Sequence, residues 1–147
     1  MSMPTSMPMP TQRTTDVRAM PMLTCSSVTA SSEWYQRVLG LHSVHGGDEY
    51  DQLTAGEEHG PVVLQLHQRD PHEHAHLAAE GRPLDGNGIA VWFETDEFAA
   101  VADRIHASDA TVVEDVHVNP LAEHLEVWLR DLDGYLVVVS SPYGDVG

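Results

Sequence analysis

The order in which two residue periodicities alternate along this chain limits its fold more than any single motif. Short runs rich in β-branched and aromatic residues read as strands, and two longer runs carry the three- and four-residue apolar spacing of amphipathic helices. In chain order they are MPMLTCSS, the helical ASSEWYQRVLG, then LHSVH, EYDQL and VVLQLH. The second set is GIAVWFE, the helical TDEFAAVADRIHAS, then TVVEDVHV, HLEVWLR and YLVVVSS. The pattern is strand, helix, three strands, and the same again. Little residue identity links the halves, so the repeat is one of element order. In the first helix Trp34, Val38 and Leu41 form the apolar face and Gly40 supplies a stop. In the second, Phe98, Val101, Ala102 and Ile105 form one stripe, and Thr95 or Asp96 is expected to cap the N-terminus. Gly46-Gly47, Asp85-Gly86-Asn87-Gly88 and Asp133-Gly134 carry turn chemistry between strands.

At 147 residues the chain is long enough for one domain with a real core. We assign residues 1–17 to a disordered tail and 18–145 to a single domain. Within it, module one spans 18–67, a polar linker 68–87 and module two 88–145. The opening MSMPTSMPMPTQRTTD lacks the basic start and apolar core of a secretory signal, and no apolar run is long enough to span a bilayer. A lone Cys25 excludes an intramolecular disulfide and fits a cytoplasmic protein, with the thiol expected as a small buried apolar residue. The formal charge is −16, and all the basic residues are arginine. Lysine Schiff-base chemistry is therefore excluded. So acidic a chain is a poor partner for nucleic acid or an anionic membrane and a better one for a cationic small molecule.

HQRDPHEHAH, residues 67–76, raises the question of a metal site, since imidazole is the commonest ligand of transition metals. His72, His74 and His76 alternate, so an extended segment would turn all three to one side. A loop between Pro71 and Gly81 offers little to hold such ligands in place, and the segment reads as a solvated linker. There is no phosphate-binding glycine loop, no Cys-x-x-Cys pair and no spacing that implies a nucleophile–histidine–acid set.

The element order, together with VTASSEWYQRVLGL and LRDLDGYLVVV, resembles the glyoxalase/bleomycin-resistance/dioxygenase group, the vicinal oxygen chelate superfamily. The first motif is similar to that family's Tyr-x-x-Val-Leu-Gly-Leu helix end, carried by Tyr35, Val38, Leu39, Gly40 and Leu41. The second is similar to its Arg-Asp-Pro-Asp-Gly turn, with Leu132 in the proline position. The resemblance implies an α+β fold of two βαβββ modules whose curled mixed sheets surround a cleft, commonly in a homodimer. It also implies four metal-ligand positions, one on each of four strands. These fall on Met20, Gln65, Gly88 or Ala90, and Val138. A divalent metal needs carboxylate, imidazole or thiolate donors, so no metal and no cofactor is expected at these positions.

Strand alternation converts the resemblance into a list of cleft residues, because positions two apart share a face. Met20 and Met22 come from the first strand, and Val63, Gln65 and His67 from the fourth. Trp92 and Glu94 come from the fifth, His124, Glu126, Trp128 and Arg130 from the seventh, and Leu136, Val138 and Ser140 from the last. Tyr50 and Gln52 join them if the third strand has the matching parity. Indoles, methionines and carboxylates over an apolar floor suit an amphipathic, aromatic or cationic molecule. The expected function is non-catalytic sequestration of such a molecule by a bleomycin-resistance type of protein, in a metal-free cleft. The alternative is a lyase, isomerase or dioxygenase of the same group, using a relocated metal or metal-free acid–base chemistry through Glu126 and His124.

Overall fold

The computed structural model describes residues 17–70, 77, 81–84 and 86–147. The tail, apart from Val17, and the linker histidines His72, His74 and His76 lie outside the described residues. The first module consists of β1 (Met22–Cys25), α1 (Val28–Leu39), β2 (His42–Ser43), β3 (Tyr50–Thr54) and β4 (Val62–Gln68). The second consists of β5 (Ala90–Glu94), α2 (Phe98–Ala107), β6 (Thr111–Asn119), β7 (His124–Arg130) and β8 (Leu136–Ser140). Each module forms one four-stranded sheet, in the orders β1-β4-β3-β2 and β5-β8-β7-β6. In both, the first strand lies parallel to the last and the other neighbours are antiparallel. The fold is α+β with two topologically identical βαβββ units, and neither sheet closes into a barrel.

The helices form where the apolar spacing demands, and their ends are chemically marked. Ser27 caps α1, its Oγ accepting from the Ala30 N–H at 3.1 Å. The helix stops at Gly40, whose φ of 74° suits a residue without Cβ and whose N–H donates to the Gln36 carbonyl. A Cβ at Gly40 would stand 1.8 Å from Arg104 Nη1, so this glycine also lets α2 lay a guanidinium on the end of α1. Leu41, just beyond the stop, is still buried.

Two expectations at element ends need correction. The first strand was expected over residues 20–27 but spans Met22–Cys25, leaving Met20 outside it. Pro21 lacks an N–H and contributes only its carbonyl, which accepts from the Gln65 N–H at 2.8 Å. Neither Thr95 nor Asp96 is the cap residue of α2; that position belongs to Glu97, whose side chain makes no capping bond. Thr95 Oγ1 instead accepts from the Glu97 N–H one step before the helix, closing the preceding turn.

One core serves both modules. Val28, Trp34, Tyr35 and Val38 of α1 pack with Leu53, Leu64 and Leu66 of the first sheet. Phe98, Ala102 and Ile105 of α2 pack with Val127, Leu129, Val137 and Val139 of the second. The clusters merge where the Tyr35 ring lies 6.4 Å from Phe93. Each fully buried aliphatic side chain contributes about 1.5–3 kcal/mol, so this shared wall resists separation of the halves. Cys25 is buried in it as expected, and burial pushes its thiol up to about 12, which keeps it protonated and inert.

Polar contacts orient what the core holds together. In the turn between β7 and β8, Asp131 Oδ1 accepts from the N–H groups of Asp133 and Tyr135, while Oδ2 accepts from Tyr35 Oη at 2.5 Å. Asp133 in turn accepts from Ser26 N and Oγ ahead of α1. Within the first module, buried Asp51 accepts from Ser32, Ser43 and the Gly46 N–H, tying the β2–β3 connection to α1. No helix among the described residues is long and apolar enough to cross a membrane.

Tyr35→Phe removes only an oxygen from the core but leaves a carboxylate oxygen of Asp131 without its donor. We expect a loss of about 1–3 kcal/mol, the cost of a buried group left unsatisfied, read as a lower urea midpoint with an unchanged m-value. No change in midpoint would show that the bond does not join the modules.

Candidate ligand-binding site

On the second sheet, pairing register brings the expected residues side by side. Trp92 lies opposite Val138 across β5 and β8, and Val138 lies opposite Trp128 across β8 and β7. Ser140 stands next along, between Glu94 and Glu126. The indoles of Trp92 and Trp128 meet nearly at right angles, 81° with centroids 6.0 Å apart, and the His124 ring lies 6.1 Å from Trp92. Both indole donors are used internally: Trp92 Nε1 donates to Ser140 Oγ at 2.8 Å and Trp128 Nε1 to Glu126 Oε2 at 2.7 Å. Trp92 is 46% exposed, whereas Glu126 is 2% exposed and Val138 fully buried. Val138 is thus the floor under the rings, and Glu126 is a covered charge beside them.

The Glu126 carboxylate is held ionised. Burial alone would raise its pKa, but hydrogen bonds from Trp128 and Asn119 and the neighbouring His124 outweigh that effect, and the net shift is downward. His124 Nε2 sits 3.4 Å from Glu126 Oε1, near enough for attraction but not aligned as a hydrogen bond. Beside this cluster a groove of about 340 Å³ runs between Ala19, Pro21 and Val63 on one side and Ile89–Glu94 on the other. Trp92 and Glu94 line it, Glu94 as an exposed carboxylate.

The expected residues of the first sheet form a separate polar set around Tyr50. Met22 and Gln65 are register partners, as are Gln52 and Gln65, and Tyr50 and His67. Tyr50 Oη donates to Gln65 Oε1 at 2.6 Å and accepts from Gln52 Nε2 at 2.9 Å, while Gln65 Nε2 donates to the Met20 carbonyl at 2.8 Å. The third strand therefore has the parity that puts Tyr50 and Gln52 with Gln65. The Tyr50 ring lies between His45, at 5.0 Å, and buried His67, at 6.1 Å.

The four positions at which the family resemblance implies metal ligands do not fit a divalent ion. Both ends of the Gln65 amide are committed, and the Met20 carbonyl is taken by it. Val138 is buried hydrocarbon, and neither Gly88 nor Ala90 has a side-chain donor. Among the described residues no three His, Cys, Asp or Glu side chains converge as a ligand set.

Sequence reasoning missed Asn119 on β6 as a partner of Glu126. Register pairs His117 with Glu126 and Asn119 with His124, so the contact runs diagonally across β6 and β7 and depends on a pairing register that alternation within one strand does not give.

With this geometry in place, comparison with known proteins gives the class. The sequence profile of the Glyoxalase/Bleomycin resistance protein/Dioxygenase superfamily matches residues 18–139. The chain belongs to that superfamily. No curated protein sequence matches it. Among solved structures it is similar to a virulence protein from Salmonella typhimurium, with a TM-score of 0.62 and 23% identity over 88% of this chain and 99% of that one. A glyoxalase-related enzyme from Fulvimarina pelagi has a TM-score of 0.67 and 17% identity over 89% of this chain and 94% of that one. A glyoxalase/bleomycin resistance protein/dioxygenase family enzyme from Burkholderia phytofirmans PsJN has a TM-score of 0.66 and 16% identity over 83% and 95%. At these identities the likeness is one of fold.

The depressed pKa of Glu126 has a signed consequence for stability. A carboxyl whose folded pKa lies below its unfolded value stabilises the protein above the unfolded pKa, and the contribution disappears as pH falls through the folded one. Glu126→Gln should therefore cost about 1.5–3 kcal/mol at neutral pH, the scale of a hydrogen bond to a charged group. The two proteins should converge in stability as the solution is acidified below the carboxylate range. Urea titrations across that range check this; a constant gap would assign the cost to packing.

Proposed function

We propose that this protein binds a cationic or aromatic small molecule without chemical turnover, in the groove beside Trp92 and Trp128, as a cytoplasmic homodimer. One observation carries the binding reading: two perpendicular indoles, one half exposed to a groove, stand against a carboxylate kept ionised. Exposed aromatic faces supply contact area and cation–π attraction, and a fixed negative charge behind them favours a positive ligand. The overall charge of −16 attracts the same class of ligand.

Acid–base catalysis through Glu126 and His124 has less support. A general base working near neutrality needs a carboxyl pKa raised toward 7 and an oxygen the substrate can reach. Glu126 has a lowered pKa and is covered. The enzymes among the structural relatives share the fold at 16–17% identity, which does not carry their chemistry to this chain.

The binding test is a tryptophan fluorescence titration with cationic glycopeptides, polyaromatic cations and small dicarbonyl metabolites. A ligand of the proposed class should saturate the signal, and Trp34, buried in the core, should contribute little to the change. Trp92→Phe and Trp128→Phe, first checked for unchanged melting temperature, should weaken binding, and Trp128→Ala should cost about 2 kcal/mol, the scale of an aromatic anchor. Equal affinity in parent and variants, or no binding by any member of the panel, would remove the cleft from consideration.

The dimer part of the proposal is supported by β6, where Val112, Val113, Val116 and Val118 are 36–50% exposed on an edge strand. Exposed Glu114 and Asp115 interrupt the valines, yet four partly exposed valines are more apolar surface than an edge strand left in water usually shows. Light scattering should give twice the chain mass; a monomer that persists on concentration refutes this part alone.

A further inference from the structure

We propose that the corner formed by Trp92, Trp128 and His124 is an alkylammonium site, which takes a quaternary or tertiary ammonium head in preference to a primary one. This deepens the binding reading above and rests on it. The ring arrangement argues first. A planar cation intercalated between two indoles needs them parallel, whereas these meet at 81° with their centroids 6.0 Å apart, and His124 is tilted 43° to Trp92. Faces turned in different directions suit a compact, roughly spherical head, as in the aromatic cages that recognise choline-like groups.

Hydrogen-bond accounting argues second. Both indole donors are spent within the corner, Trp92 Nε1 on Ser140 Oγ and Trp128 Nε1 on Glu126 Oε2, while His124 Nε2, which has no hydrogen-bond partner, is buried out of a ligand's reach. Ser140 and Glu126 are 1% and 2% exposed, so neither presents an accessible acceptor. A primary ammonium entering here would give up water around its N–H groups and gain no partner in the corner for them, so it is penalised for donors left unsatisfied. A quaternary ammonium has no N–H to strand. Its charge is spread over methyl groups that pack on the rings, and it still feels the Glu126 carboxylate behind Trp128. Glu94, exposed on the same strand as Trp92, offers a carboxylate at the groove edge. Pairing there is screened by water and contributes little to the choice between heads.

The test compares choline, ethanolamine and 3,3-dimethylbutan-1-ol, which differ only in the head: quaternary cation, primary cation, and a neutral group of choline's shape. Isothermal titration calorimetry on the full chain should show choline tighter than either by about tenfold. Glu126→Gln should weaken choline and leave the neutral alcohol unaffected. Trp92→Leu should erase the preference for choline over the alcohol, and Glu94→Gln should lower both cations alike. Ethanolamine binding as well as choline would overturn the proposal. Equal binding of choline and the alcohol would also overturn it, leaving an apolar pocket. If the wider panel binds but none of these three does, this proposal fails and the binding reading stands; if neither set binds, both fail.

Discussion

A hydrogen bond buried between the modules, from Tyr35 Oη to Asp131 Oδ2 at 2.5 Å, is the contact on which the arrangement of the two halves turns. Apolar packing can bring α1 against the second sheet, but it is non-directional and would tolerate many relative orientations. The Asp131 carboxylate removes that freedom, because its other oxygen is already fixed by the turn that it organises. Burial raises the Asp131 carboxyl and pushes the Tyr35 hydroxyl well above its ordinary range, so the tyrosine stays a neutral donor. Asp133 repeats the link at Ser26, so one turn anchors both the N-terminal end and the middle of α1. The same turn joins β7 to β8, whose register carries Trp128 and Val138. The geometry of the candidate site is thus tied to the contact between modules.

Two modules of identical topology carry different surfaces. On the first sheet, Tyr50, Gln52 and Gln65 satisfy one another, which leaves a polar face with few unmet demands. On the second, both indole N–H groups are satisfied internally, which leaves the aromatic carbon of Trp92 to face the groove with the Glu126 charge covered behind it. On this superfamily scaffold the four positions compared above hold no metal-donor set, and an aromatic corner stands on the second sheet. Fold and site have to be argued separately in such a case.

Most of the fold was legible in the chain. Helices and strands declare themselves through periodicity, and Gly40 marks a helix end by local backbone chemistry that needs no partner, whereas Ser27, read as the end of the first strand, is the cap of α1. Alternation also placed Trp92, His124, Glu126, Trp128 and Val138 on one face, because a strand's two faces are a local property. Legibility failed where a neighbour decides the outcome. Pro21 shortened β1 through a missing ladder donor, and the β6–β7 register that brings Asn119 to Glu126 is not written in either strand alone.

By itself the sequence determined the element order, the superfamily, and which residues share a strand face, since each follows from local spacing and short motifs. Only the tertiary structure decided that Val138 lies beneath the rings, that Glu126 is covered and held ionised, that Trp92 and Trp128 meet at right angles, and that Tyr35 reaches Asp131. These depend on inter-strand register and on contacts between residues up to 96 positions apart. Periodicity fixes which way a side chain points but not what it meets there.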